Sequence, residues 1–314
     1  MISYVLRRML QMVPVILLGS LGVWAMLLAV PGGPVGALLG DNATAEQILA
    51  KQIELGLDRP IVVQYLDWLT AALRGDFGLS IYSKEPVMSL ILGRLPATAQ
   101  LAVVAMAISI LIGVPIAVLS AMNPGSRLDR LLSGWSALAL GIPTFWMGIL
   151  LILLFAVTLR WLPSASAFIP LWVDPIGALR TMAMPAITLG LYVSGVLARF
   201  LRASLITEMR SDYVRTARSK GLPDGRIMIG HILPNALLPF ITIVAMMLAG
   251  FLGGAVVTES VFTYPGLGRL LVHAIEVRDY PLVQGCVMVI LVLFVIVNLL
   301  VDIIYAYVDP RIEY

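Results

Sequence analysis

Six stretches of this chain stay apolar for more than twenty residues, at about 9–30, 98–122, 132–159, 183–205, 236–258 and 283–306. No other feature restricts the fold as strongly. An α-helix of ~20 apolar residues crosses the hydrocarbon core of a bilayer. In lipid, the backbone N–H and C=O groups must pair within such a segment, and for runs of this length the helix achieves that. Composition agrees. The 314 residues are 60% hydrophobic and 12% charged, with a mean hydropathy of +0.97, whereas soluble domains are about 25% charged. The expected fold is an all-α membrane protein with six transmembrane helices.

Charge placement orients it. Seven cations (Arg199, Arg202, Arg210, Arg215, Arg218, Lys220 and Arg226) gather around the loop 206–235, against Glu208, Asp212 and Asp224. Arg7, Arg8, Arg127, Arg130 and Arg311 fall on the same side if the spans alternate. Cytoplasmic loops carry the excess of Lys and Arg. Both termini, 1–8 and 307–314, are therefore expected in the cytoplasm, and segments 31–97 and 259–282 outside. The first run lacks a small-residue cleavage site and is read as a retained span. Cys286, the single cysteine, lies in the sixth run and reads as a small buried hydrophobe.

Residues 31–97 are the one soluble-looking region. Thr44 and Gln47 form a capping box for a helix to about Leu55, stopped by Gly56. Asp58 and Pro60 open a second helix, with Val62, Leu66, Leu69 and Leu73 on one face and Gly75 at its end. A third is expected from Ser83 towards Arg94, closing before Pro96. In the spans, Gly190, Ser194 and Ala198 recur every four residues, as do Ala245, Ala249 and Gly253, with Gly250 and Gly254 beside the latter. Small residues at that spacing let helices approach closely in lipid. They predict a tight bundle, with a second subunit as one possible neighbour. The stretch 259–280 is too polar to span; it reads as a turn at Tyr264-Pro265-Gly266 and a short helix through Ile275. Late in the sixth run, Asp302 sits one turn beyond Asn298, where a structural role is expected.

The most specific stretch is 213–239. Arg215-Thr216-Ala217, three residues, Gly221, nine residues, then His231-Ile232-Leu233-Pro234 resembles the cytoplasmic loop motif of ABC-importer permeases. That motif usually begins Glu-Ala-Ala and has Ile where His231 stands; the Arg-Thr-Ala form is similar to the peptide/nickel branch. The opening LRRMLQMVPV, the pieces GLDRPIVVQYLDWL, GDFGLS and RLPATAQLA, and the closing DPRIEY extend the resemblance along nearly the whole chain. They look like the first of two paired permeases. Gly33 replaces the usual Asp in the turn Pro31-Gly32-Gly33-Pro34.

The resemblance implies a type I ABC-importer permease fold in the bacterial or archaeal cytoplasmic membrane. It implies a short coupling helix within 211–224 that docks an ATPase, carried by Arg215, Thr216, Ala217, Arg218, Lys220, Gly221, Leu222 and Pro234. Ala217 and Gly221, four apart, are expected on one docking face. Implied partners are a second homologous permease, one or two ATPase subunits that bind ATP and Mg, an extracytoplasmic substrate-binding protein, and the lipid bilayer. The chain itself is expected to hold no cofactor or metal. Lys51, Lys84 and Arg269, on the outer segments, are candidate contacts for the binding protein. Di- and oligopeptides, glutathione, nickel chelates and some sugars are the cargo classes of such relatives.

The sequence carries little enzymatic chemistry. No glycine precedes a lysine, so the phosphate-cradling GxxxxGK[ST] loop is missing, as are HExxH and GxSxG. The cationic loop has no interleaved aromatics, which argues against nucleic acid. The rival reading is a self-sufficient ion-coupled transporter, which favours ionisable residues at mid-membrane and repeated broken helices.

Overall fold

The computed structural model describes residues 2–26, 28, 44–54, 58–165 and 167–308. The Pro31–Pro34 turn with Gly33, the Gly56 stop and the last six residues lie outside them. Among the described residues the fold is helical, with one isolated bridge between Leu79 and Pro86. Five helices among the described residues are long and apolar enough to cross a membrane, six if a pair bent by 98° is taken as one span.

Helix α1 (Ile2–Ala25) packs along the last helix, α13 (Tyr280–Val308). Arg8 pairs with Asp302 at 3.3 Å near one end, and Gln284 donates to the Val23 carbonyl at 3.4 Å near the other. The start of α1 and the late turns of α13 therefore lie together. Asp302, for which a structural role is expected, thus has a cation within reach, and Arg8 an acid besides the headgroups.

The outer segment holds α2 (Ala45–Glu54) and α3 (Ile61–Leu73). Thr44 and Gln47 make both bonds of the capping box. In α3 the expected apolar face is not the packing face. Val62, Leu66 and Leu73 are exposed, while Tyr65 and Trp68 turn inward, Tyr65 onto Trp24 and Trp68 onto Phe77. Large rings bury more area than aliphatic side chains and take the contact.

Helix α4 (Val87–Met122) continues unbroken past Pro96 and Pro115. The separate helix expected before Pro96 is its first two turns. A helical proline forfeits one hydrogen bond, and here Val87 and Ile91 are fully buried against Leu267, Leu282 and Cys286, which offsets that loss. The third apolar run, by contrast, is not one helix. Helices α5 (Arg127–Gly141) and α6 (Thr144–Leu151), the latter extended by a π-helical stretch Ile152–Thr158, meet at 98°. Pro143 lacks an N–H and pushes Ile142 into extended backbone (ψ 122°), which breaks the helix there.

Helix α7 (Pro175–Glu208) starts ten residues before Pro185, because Asp174 caps it by accepting the Gly177 N–H at 2.9 Å and Pro175 fits its first turn. It forms the most extensive pairing with α4. Gly190 allows it: a Cβ there would lie 2.7 Å from Ile108 and 3.1 Å from the Ala105 carbonyl. The stripe Gly190, Ser194 and Ala198 is thus used inside this chain, against α4, and not against a second subunit. Then come α8 (Asp212–Ser219), α9 (Asp224–Ile227), a π turn Met228–Ile232, and α10 (Leu233–Gly254). In α10, Ala249 is buried but Gly250 faces open space; Gly253 and Gly254 close the helix. Helices α11 (Val256–Val261) and α12 (Leu267–Glu276) connect α10 to α13, at the end of the bundle opposite α8.

Candidate functional site

The sequence of α8, DYVRTARS, has two apolar residues three apart, and the fold turns both inward. Val214 is fully buried and Ala217 is 8% exposed, within one core with Leu201, Leu205 and Ile227. Arg215, Thr216, Arg218, Ser219 and Lys220 face out. The helix stops because Gly221 takes φ +78°, a left-handed conformation that side chains disfavour. The Gly221 N–H then bonds the Arg218 carbonyl at 2.9 Å and the Leu222 N–H the Ala217 carbonyl at 3.4 Å, a Schellman cap with Leu222 folded onto the core. Gly221 is therefore beyond the helix and Ala217 beneath it. They do not share a docking face, contrary to the expectation from their spacing.

A polar chain fixes α8 to the two spans around it. The Tyr213 hydroxyl donates to Glu208 at 2.7 Å, at the end of α7. The Asn235 amide, at the start of α10, donates to that hydroxyl at 3.2 Å and to the His231 carbonyl at 2.9 Å. Burial, then the Glu208 carboxylate, pushes the Tyr213 phenol above its ordinary value. Pro234 has no N–H for the Gly230 carbonyl, and the wider π turn lies just before it. The loop's charges are partly satisfied within the chain. Arg215 meets Asp212 at 3.1 Å and Arg218 meets Asp224 at 3.0 Å, both exposed. Arg202 is not on this surface; it reaches into the bundle to Asp129.

On the opposite side, Glu259 is wholly buried. It accepts from the Thr98 hydroxyl at 2.7 Å and from the Arg269 N–H at 3.0 Å, while Thr98 accepts the Leu267 N–H at 2.8 Å. One carboxylate thus binds the top of α4 to the first turn of α12. Burial pushes its carboxyl above the ordinary range, against the pull of Thr98 and the amides of Arg269 and Gly268. A Cβ at Gly266 would overlap that carboxylate, so the Pro265-Gly266-Leu267-Gly268 turn is shaped around Glu259. A second buried acid, Asp279, accepts from Ser80 and from the amides of Ile81 (3.1 Å) and Tyr82 (3.3 Å), anchoring the outer loop to the start of α13. Tyr82 stacks edge-on against His273. Lys84 lies in that loop, Arg269 on α12 and Lys51 on α2.

Where α5 and α6 break, a cavity of about 600 Å³ opens between Gly141–Phe145, Tyr192 on α7 and Met247 and Gly250 on α10. Glu259, Asp279 and the broken span were not anticipated from sequence. The Gly141-Ile142-Pro143 run was a visible signal for the break; the partners of the two acids lie 161 and 199 residues away and were not.

Two family models match. Residues 113–314 fit the "Binding-protein-dependent transport system inner membrane component" and residues 1–102 the N-terminal part of such a component. A putative peptide transport system permease protein of Brucella abortus is 40% identical over 314 residues, covering all of both chains. The oligopeptide transport system permease protein AppB of Bacillus subtilis is 39% identical, and the glutathione transport system permease protein GsiC of Salmonella typhimurium 37%, each with full coverage of both chains. Among solved structures, an inward-facing MetNI methionine ABC transporter chain superposes with a TM-score of 0.59 at 20% identity, covering 72% of this chain and 99% of its own. An amino acid ABC transporter crystallised with histidines gives 0.53 at 18%, covering 70% and 94%. The chain thus belongs to the binding-protein-dependent transport system inner membrane components, as a permease subunit of the peptide family of ABC importers.

Proposed function

We propose that this permease carries di- or oligopeptides, or small relatives of them such as glutathione, and that it is driven through α8. It pairs with a second homologous permease, and the cargo path runs between the two. One or two ATPase subunits, which hold the ATP and Mg, sit beneath them; a substrate-binding protein delivers cargo from outside. Both termini and the 206–235 connection face the cytoplasm. The peptide and glutathione names of full-length relatives support the cargo class.

The observation that carries the coupling role is the double attachment of α8. Its inward face is sealed into the core by Val214, Ala217 and Leu222, and the Tyr213 hydroxyl joins the ends of α7 and α10. A push on the outward face cannot be absorbed by a loose loop and passes to both spans. Closure of the ATPase pair on ATP displaces α8, and the permeases rock between outward- and inward-open states. Exposed ion pairs are worth only ~0–1 kcal/mol, so shape rather than charge holds the ATPase. The test is a bulky residue on the outward face. Thr216→Trp or Ser219→Trp is expected to leave the permease inserted and folded but to abolish ATPase co-purification. Transport that persists without any ATPase subunit would instead favour an ion-coupled carrier.

A further inference from the structure

We propose that the outer cleft between Arg94 and Arg269 is the seat for an acidic side chain of the substrate-binding protein. The proposal rests on the importer reading. The cleft, about 420 Å³, lies where the top of α4 meets α11 and α12, and is edged by Arg94, Ser260, Thr263, Arg269, His273 and Glu276. Two arginines against one carboxylate give it a cationic bias. Guanidinium groups offer a planar fork of donors that matches a carboxylate. Arg94, Arg269, His273 and Glu276 are all exposed. A small free ligand is normally buried over most of its surface, and an open rim of this kind instead suits a side chain projecting from a docked protein.

The cleft is built rather than incidental. Helix α11 ends in a Schellman cap, with the Thr263 N–H on the Ser260 carbonyl at 3.2 Å and the Tyr264 N–H on the Glu259 carbonyl at 2.8 Å. The left-handed position of that cap normally takes glycine. Here it is Thr263, at φ +51°, a strained conformation for a β-branched residue. The strained carbonyl accepts from Arg269 Nη1 at 2.6 Å, and the Arg269 N–H is held by buried Glu259. Backbone and guanidinium of Arg269 are thus both fixed before any partner arrives. Strained backbone concentrates where surrounding structure holds a functional geometry, and preorganised charge costs less to engage.

The test uses the complete transporter in nanodiscs, titrated with its own substrate-binding protein, reading stimulated ATP hydrolysis at about 50 and 500 mM salt to vary screening. For the Arg94→Glu/Arg269→Glu pair, the half-maximal concentration of binding protein at low salt is expected to rise about tenfold or more, with its salt dependence flattened and basal hydrolysis unchanged. Arg94→Lys/Arg269→Lys keeps the charge but loses the fork, and is expected to fall between the wild type and the reversed pair, with the salt dependence retained. If the reversed pair fails to assemble, Arg94→Gln/Arg269→Gln decides by the same readout. Wild-type affinity and salt dependence in an assembled variant overturn the proposal. So does a free dipeptide that stimulates hydrolysis without the binding protein and loses that effect in the variants, since it assigns the cleft to cargo. A wild-type complex that no binding protein stimulates defeats the importer reading itself, and the cleft proposal with it.

Discussion

Arg202 grips Asp129 with two parallel hydrogen bonds, Nε to Oδ1 at 2.8 Å and Nη2 to Oδ2 at 2.7 Å. Ser120 donates to the same carboxylate, as does the Gly125 N–H at 2.8 Å. The end of α4, the start of α5 and the last turns of α7 are thereby joined at one acid that is nearly closed to solvent. Removing one partner of a buried pair strands the other, at a cost of about 3–5 kcal/mol. Arg202→Ala and Asp129→Leu are each expected to lower the melting temperature of the detergent-solubilised permease sharply. The Arg202→Met/Asp129→Leu double variant should lose less than either, which thermal unfolding by fluorescence would check.

Opposite faces of α8 should respond differently. Val214→Ala removes buried apolar volume and is expected to cost about 1–3 kcal/mol of stability. Arg215→Ala, on the exposed face, should cost under about 1 kcal/mol. Ala217→Trp, which would intrude on Leu201 and Leu205, is expected to reduce folded yield rather than to act on docking alone. Size-exclusion profiles of the free permease separate these outcomes from subunit loss.

Tyr213→Phe tests the lever. It deletes the hydroxyl that meets both Glu208 and Asn235 while keeping the ring. Each such bond contributes only about 0.5–1.5 kcal/mol net, so the fold and ATPase association should survive. Transport per ATP hydrolysed, measured in proteoliposomes, is expected to fall severalfold. An unchanged ratio would mean that the apolar seal alone carries the motion.

Glu259 gives a pH dependence. Its folded-state carboxyl titrates above the ordinary value of 4.5, chiefly because it is buried. The folded protein therefore holds a proton that the unfolded chain has released. Stability is fully present below that ordinary value and declines as pH rises through the folded one. Glu259→Gln should remove this decline from a plot of melting temperature against pH, even if it lowers the curve as a whole.

Thr263→Gly is expected to leave stability unchanged or raise it by up to about 1 kcal/mol, as relief of left-handed strain offsets the greater freedom of the unfolded chain. In an ordinary helical position the same change destabilises. Chemical denaturation of the purified permease distinguishes the two cases.

The apolar runs made the helical fold legible, since length and hydropathy alone demand helices in lipid. The spacing around Arg215 and Gly221 located α8. Its facing was misjudged because period-four reasoning assumed a helix through Gly221, whereas glycine ends it two residues after Ser219. Proline was misread in both directions. Pro96 was expected to stop a helix that buried neighbours carry past it, and Pro143 breaks a run that hydropathy alone joined. Residues such as Thr98, Glu259, Ser80 and Asp279 announce nothing individually. Their meaning is a contact between distant segments, which one sequence does not display.

The Arg8–Asp302 pair has a consequence for the order of biogenesis. Its members are 294 positions apart, so α1 reaches the bilayer long before α13 exists. At about 5–20 residues per second, the first helix waits roughly 15–60 s for its partner acid. The bundle is therefore closed by its last-made helix. Nascent chains halted before Asp302 should leave α1 loosely held and open to the cell's membrane proteases until synthesis is complete.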